Sequence, residues 1–312
     1  MLRRIFALIA CFLTLGLVAC GSTSSATPAA KDGEKVTIKH TQGSTEVTKN
    51  PGKVVVLDYA TLDSMKALGL GEKVVGVPAK TLPDFLSEFK KTEDIGTMQE
   101  PDLEKVAGLE PELIIIAGRT AEKYDELSKV APTINLAVDN TKYVDSMKEQ
   151  AKNVGTIFGK ESEVTQKLAD VDKAITETKQ AASKGDAKAL TILTSGGKIS
   201  AFGPGSRFGF IHDVYGIKPA AADLKVDSHG QAVSHEYLST TNPDVLYVID
   251  RDATIGRQGT SAAKLLDNAL VNKTNAAKNK KITYLNGARW YLLGSGLDNT
   301  LEMAKELKAG LA

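Results

Sequence analysis

Glu104-Lys105-Val106-Ala107-Gly108-Leu109-Glu110-Pro111-Glu112-Leu113-Ile114-Ile115-Ile116-Ala117-Gly118-Arg119 has a counterpart later in the chain: Glu236-Tyr237-Leu238-Ser239-Thr240-Thr241-Asn242-Pro243-Asp244-Val245-Leu246-Tyr247-Val248-Ile249-Asp250-Arg251. Both copies place Glu seven residues before Pro, an acid directly after it and Arg eight residues after it. The apolar run in each reads as a buried strand bounded by turn residues. Fixed spacings at three positions point to two α/β lobes related by a pseudo-twofold axis. On that reading Arg119 and Arg251 converge on a shared cleft, and Glu104 and Glu236 lie at corresponding positions away from it.

Working outward, the same alternation fills the rest of the chain. A hairpin is expected over residues 36–40 and 45–49. Strands follow at 54–58, 74–77, 113–117 and 134–138, then at 189–194, 199–202, 245–249 and 282–285, with helical stretches such as 61–68 between them. Alternation of this kind implies largely parallel sheets covered on both faces. Between the two sets, residues 161–184 carry Val164, Leu168, Val171 and Ile175 at four- and three-residue steps, a narrow apolar stripe on one helix. Such a helix is long enough to join two lobes. The expected organisation is an N-terminal lobe over 36–160, an interlobe helix over 161–184 and a C-terminal lobe over 185–312. Each lobe is Rossmann-like, and the ligand cleft lies between them.

Arginine is used sparingly. Beyond the first twenty residues there are five arginines against 32 lysines. Arg119, Arg207, Arg251 and Arg289 each follow an apolar run, and only Arg257 does not. These positions lie past strand carboxyl ends, the edge where open α/β sheets hold ligands. Guanidinium is the forked, weakly hydrated donor suited to carboxylate or phenolate oxygens. The overall charge is small: without Arg3 and Arg4 the chain has 37 basic and 38 acidic residues. No basic stripe for nucleic acid is present.

The start of the chain reads as a processing segment. Arg3-Arg4 precede an apolar stretch over 5–18, and Leu17-Val18-Ala19-Cys20-Gly21 resembles the lipobox of bacterial lipoproteins. Residues 1–20 are then a signal peptide, Cys20 the lipidated residue that anchors the chain to the membrane, and 21–35 a flexible tether. With Cys11 removed and Cys20 modified, no disulfide framework remains. An enzyme is not expected. The sequence lacks a P-loop, a Gly-x-Ser-x-Gly elbow, a cysteine nucleophile in the mature chain and a closely spaced histidine pair. Four scattered histidines do not make a carrier of bare metal ions.

Further markers are Lys53-Val54-Val55-Val56-Leu57-Asp58, Ile95-Gly96 followed by Pro101-Asp102-Leu103-Glu104, and the single long helix. With the repeated Pro-acid-strand signature, they resemble the substrate-binding lipoproteins of iron-siderophore and cobalamin ABC importers, over roughly residues 36–312. Gly118-Arg119, Gly205-Ser206-Arg207-Phe208-Gly209, Ser228-His229-Gly230-Gln231, Asp250-Arg251-Asp252 and Arg289-Trp290-Tyr291 are similar to the ferric-catecholate subgroup that takes up petrobactin-like siderophores.

The resemblance implies a ferric siderophore as transported ligand, no intrinsic cofactor, and a monomer outside the cytoplasm that delivers to a permease dimer. It implies Arg119, Arg207 and Arg251 around the anionic complex, with Trp290 and Tyr291 at the ligand. His229 and Tyr291 would go to iron whose siderophore shell is incomplete, since ferric iron takes anionic oxygen and imidazole also suits iron. Glu104 and Glu236 would dock on permease arginines. Taken alone, a histidine in a polar loop reads equally as solvated, and a Trp-Tyr pair after a strand as packing. Arg257 and Arg289 are not clearly placed at the ligand. Within the binding class the alternative cargoes are a hydroxamate siderophore, haem or cobalamin.

Overall fold

The computed structural model describes residues 33–312. The expectations for the signal peptide, for Cys20 and for most of the tether fall on residues 1–32 and lie outside the described residues.

The chain opens with the antiparallel hairpin of β1 (Lys35–His40) and β2 (Gly43–Thr48), which tucks Ile38 and Val47 inward. The N-terminal sheet is built from β3 (Val54–Val56), β4 (Val74–Val77), β5 (Glu93–Asp94), β6 (Leu113–Ile116) and β7 (Thr133–Asn135). All its pairings are parallel, in the order β5-β4-β3-β6-β7. Its central strands are apolar throughout because helices cover both faces, as parallel sheets require.

The second sheet comprises β8 (Lys188–Ser195), β9 (Lys198–Phe202), β10 (Lys218–Pro219), β11 (Gln231–Val233), β12 (Val245–Asp250) and β13 (Ile282–Tyr284). Its order is β11-β9-β8-β12-β13, with β10 joining the start of β8. The pairings of β8 with β10 and β12, and of β12 with β13, are parallel, as expected of a largely parallel sheet, and β9 is the exception. β9 runs antiparallel to β8 and to β11. The cause is local: Gly196 and Gly197, at φ 58° and 74°, form a two-residue turn with both central residues left-handed, so the chain folds straight back. The residue after β9 therefore does not leave by the carboxyl edge of the parallel strands, and Arg207 reaches the cleft by another route, the loop after β9.

The repeated motif is the same structure twice. Asp102 caps the helix Leu103–Gly108 by accepting from Lys105 N, and Ser234 caps His235–Thr241 by accepting from Tyr237 N. Each helix is followed by a left-handed residue directly before the proline, Glu110 at φ 49° and Asn242 at φ 46°. The acid after the proline then ties the incoming strand to its neighbour. Glu112 accepts from Gly52 N at 2.6 Å, and Asp244 accepts from Lys188 N at 2.9 Å. β6 lies beside β3 as β12 lies beside β8, so the two lobes share this core topology.

The long helix is Glu161–Ala182, about 33 Å at 1.5 Å per residue. Its buried residues are Val164, Leu168, Val171 and Ile175, the stripe read from the sequence, together with Thr178. Fully burying such an aliphatic side chain is worth about 1.5–3 kcal/mol. That outweighs surface pairs such as Lys160–Glu163 at 2.8 Å, which contribute about 0–1 kcal/mol. The carboxyl-terminal helix Leu297–Leu311 packs against it, and Lys167 meets Asp298 at 2.8 Å. The amino end of that last helix is fastened to the other lobe. Asp63, on the helix Tyr59–Ala67, accepts from Asn299 N at 2.9 Å, and Ser64 Oγ accepts from Leu297 N at 3.2 Å. One hydrophobic core runs from Val54 and Ile115 through Val171 to Tyr247 and Met303. The two lobes are thus joined by shared packing as well as by the chain.

Candidate functional site

Tyr291 is the centre of the cleft. It sits on a π-helical turn, Ala288–Leu293, entered where Asn286 Oδ1 accepts from Arg289 N and closed by Gly294 at φ 72°. A wide turn of this kind often marks functional positions. Three arginines from three elements meet there. Arg119, in the turn after β6, and Arg207, in the loop after β9, both donate to the Tyr291 carbonyl, the latter at 2.8 Å. Arg251, the first residue after β12, donates from Nε to the Tyr291 phenol oxygen at 2.8 Å. Their guanidinium carbons lie 4.9, 4.6 and 5.5 Å from the ring centroid.

The three charges are unequally compensated. Arg251 has the buried Asp252 at 3.6 Å and also donates to Ser195 Oγ at 3.1 Å. Among the described residues, Arg119 and Arg207 have no carboxylate within 4.0 Å. Burial, then the neighbouring Arg119 charge, pushes the Arg207 guanidinium down to about 10. It remains charged at neutral pH, crowded with its own kind. Burial alone would raise the Tyr291 phenol. The hydrogen bond from Arg251 and the charges of Arg119 and Arg251 outweigh it, and the net shift is downward. Asp58, at the end of β3, is pushed up by burial, against hydrogen bonds from Thr61 and the charge of Arg119. The arrangement is a cationic cleft whose guanidinium donors suit oxyanions.

Tyr291, Arg119 and Arg207 border two cavities. One, of about 470 Å³, extends past Asp58, Asn140, Tyr143 and Phe208. The other, of about 610 Å³, extends past Arg251, Ser195, Lys198, Ser200 and Gln99. Both are of a size that holds a small-molecule ligand. Ser228 and His229 line both. His229 is exposed, and its imidazole makes no hydrogen bond among the described residues; only its backbone N–H is engaged, by Asp227 Oδ1 at 2.7 Å.

Trp290 is among the residues lining the first cavity, but its indole faces the core. The indole is 0% exposed, stacks on Phe210 at 5.7 Å and donates to Glu306 Oε2 at 2.8 Å. Phe210 in turn stacks on Tyr143 at 4.1 Å, so Trp290 backs the wall of the first cavity. Arg289 is turned away too: it lies over the Phe85 ring and donates to Asn299 Oδ1 at 3.3 Å. Arg257 is exposed, 4.0 Å from Asp252. The other histidines are bonded elsewhere, His212 to Ile217 O, His235 to Leu265 O and His40 to Thr45. Glu104 and Glu236 are exposed in the first turns of their helices.

Sequence reasoning passed over Asp58 as a cleft residue, and Ser195, Lys198, Ser200 and Gln99 entirely. The signal available was the Gly196-Gly197 turn, which makes 188–202 a hairpin and sends alternate residues to one face.

The chain belongs to the periplasmic binding protein family, whose model matches residues 54–288. It is 48% identical to the petrobactin-binding protein YclQ of Bacillus subtilis, over 98% of each chain. The crystal structure of that protein aligns with a TM-score of 0.87, covering 89% of this chain and 99% of the other. The catecholate-siderophore binding protein VctP of Vibrio cholerae aligns at 0.83, with 35% identity over 88% of this chain and 100% of that one. The ferric-anguibactin-binding protein FatB of Vibrio anguillarum is 33% identical over 84% of this chain and 83% of its own length.

Proposed function

We propose that this protein captures a ferric siderophore with catecholate donors between its lobes and delivers it to an ABC permease for iron uptake. The observation that carries the reading is the convergence of Arg119, Arg207 and Arg251 on Tyr291, with two of the three lacking a carboxylate. A ferric catecholate is a compact, multiply charged anion whose iron-bound phenolate oxygens still accept hydrogen bonds. It would take the hydrogen bonds that the Tyr291 oxygens now accept and relieve the mutual repulsion of the guanidinium groups. The names of the relatives point to the same class of cargo. Where the siderophore leaves iron sites open, the Tyr291 phenolate, already favoured by its arginines, and the unengaged His229 imidazole complete the shell. Iron here is cargo, and the chemistry is binding and not catalysis.

Delivery uses Glu104 and Glu236 as one docking carboxylate per lobe against a dimeric permease. The protein works as a monomer outside the cytoplasm, held to the membrane by a lipid on Cys20 after removal of residues 1–20, with 21–35 as tether. Its lobes are 36–160 and 185–312, joined by 161–184.

Trp290, the only tryptophan, adjoins Tyr291 and so serves as reporter. Titration with ferric catecholate, ferric hydroxamate, haem and cobalamin should quench it at the lowest concentration with the catecholate. Tighter binding of any of the other three would overturn the assignment. For the coordination step, a ferric complex of a tetradentate bis-catecholate should gain tyrosinate charge-transfer absorption that Tyr291→Phe abolishes. An unchanged spectrum with the complex still bound removes Tyr291 from the iron.

A further inference from the structure

The second cavity holds a cation that the anion clamp does not use. Lys198, Ser200 and Phe202 alternate along β9, and Leu193 and Ser195 alternate along β8, so one face of the hairpin floors this space. Ser195 is committed, donating to Asp252 Oδ1 at 3.2 Å while accepting from Arg251. Lys198 and Ser200 are not: neither side chain has a hydrogen-bonding or ionic partner among the described residues. They stand two residues apart on one strand, about 6.6 Å between Cα atoms. That spacing lets an ammonium and a hydroxyl reach one carboxylate. Across the cavity the other lobe offers Gln99, which is neutral. Arg119, Arg207 and Arg251 line the same cavity, so Lys198 adds a fourth positive charge to a space whose nearby carboxylate, Asp252, is already paired.

Resting on the catecholate reading of the cleft, we propose that Lys198 and Ser200 form a separate anion subsite. It recognises a carboxylate carried on the periphery of the chelate, outside the iron shell, and makes Lys198 a specificity-determining residue. The arginines around Tyr291 hold the charged iron core, and the hairpin floor receives the arm beyond it.

Two catechols of nearly the same shape test this: protocatechuate, with a ring carboxylate, and protocatechuamide, with a neutral amide there. Their ferric complexes share the same iron donors. The wild-type protein should prefer the carboxylate complex by about tenfold, the ratio given by about 1.4 kcal/mol. In Lys198→Gln that preference should collapse, while affinity for the amide complex stays within roughly twofold, as for an ordinary surface change. Lys198→Arg should restore the preference. Retention of the full preference in Lys198→Gln would overturn the subsite, because the arginines alone would then account for it. A wild-type protein that binds the amide complex and shows no preference would overturn it as well. Binding of neither complex by the wild type would instead refute the catecholate reading, and the subsite with it.

Discussion

The two lobes begin alike and diverge at one turn. In the N-terminal lobe β3 runs into Asp58, which caps a helix by accepting from Thr61 N at 2.7 Å, and the sheet stays parallel. In the C-terminal lobe the matching strand, β8, runs into Gly196-Gly197 and doubles back as β9. Everything the lobes share, the capped helix, the left-handed residue before proline, the carboxylate tie and the central strand, delivers one arginine each to Tyr291. What they do not share delivers the rest. The hairpin and its following loop bring Arg207 and the floor with Lys198, and the turn after β13 brings Tyr291 itself. Symmetry places the lobes around a cleft; the break in symmetry furnishes it.

The comparison is sharpened most by removing the arginines singly. Arg207 comes from the unsymmetrical part and is the most crowded by like charge, without a carboxylate of its own. Arg207→Ala should weaken ferric catecholate binding by about 2–5 kcal/mol, the range for loss of a desolvated charge partner. Arg119→Ala should follow. Arg251→Ala should cost least, because Asp252 and Ser195 already engage that guanidinium. Affinities from fluorescence titration give the order. A larger loss at Arg251 than at Arg207 would mean that the repeated pair, and not the hairpin loop, makes the site. Wild-type affinity in all three would remove the clamp altogether.

A second test addresses the joint between the lobes. Asp63 is 4% exposed, and burial pushes its carboxyl up to about 6 against a backbone hydrogen bond from Asn299. Asp298 raises it further, while Arg289 lowers it. A folded-state value above the unfolded one means the native protein holds the proton more tightly. The stability from this group is therefore present in acid and lost as pH rises from the ordinary Asp value of 3.8 through about 6. The loss by neutral pH is on the order of 2–3 kcal/mol. Asp63→Asn keeps an oxygen to accept from Asn299 N–H and carries no charge. It should be more stable than wild type in neutral buffer, with the gap closing in acid, as read by denaturant unfolding at several pH values. A variant less stable than wild type in neutral buffer, but not in acid, would show instead that the charge itself holds the lobes together.

The sequence revealed most where a residue's job is local. Strand runs, the hairpin β1–β2, the bridging helix and the repeat depend on neighbours in the chain, and the apolar periodicity records them. The convergence of the three arginines was also legible, since arginine is scarce here and follows apolar runs. Two things were hidden. The direction of β9 depends on a pair of left-handed glycines, and apolar alternation is the same for parallel and antiparallel strands. The fate of Trp290, Arg289 and Lys198 depends on which way a side chain turns after its strand. Trp290 and Arg289 were captured by partners on the last helix, Glu306 and Asn299. Lys198 was left facing the cavity.

The smallest expected effect concerns the most symmetrical residues. Glu104 and Glu236 stand at the same step of the same motif, exposed in the first turns of equivalent helices. Their surroundings differ slightly: a hydrogen bond from Ser234 holds the Glu236 carboxyl below its ordinary value, whereas the Glu104 carboxylate has no hydrogen bond or ion pair among the described residues. If they dock on a permease, each exposed pair contributes only about 0–1 kcal/mol. Glu104→Ala or Glu236→Ala alone should then slow uptake slightly, and the double variant clearly more. Neither lines the cleft, so ligand titration should be unchanged in all three proteins, which separates delivery from capture. The symmetry makes a further demand: on a dimeric permease the two single variants should be about equally impaired. A defect confined to one of them would break the equivalence of the lobes at the docking face. Normal uptake by the double variant would return both carboxylates to the plainer task of acids in a helix first turn, favoured there by the helix dipole.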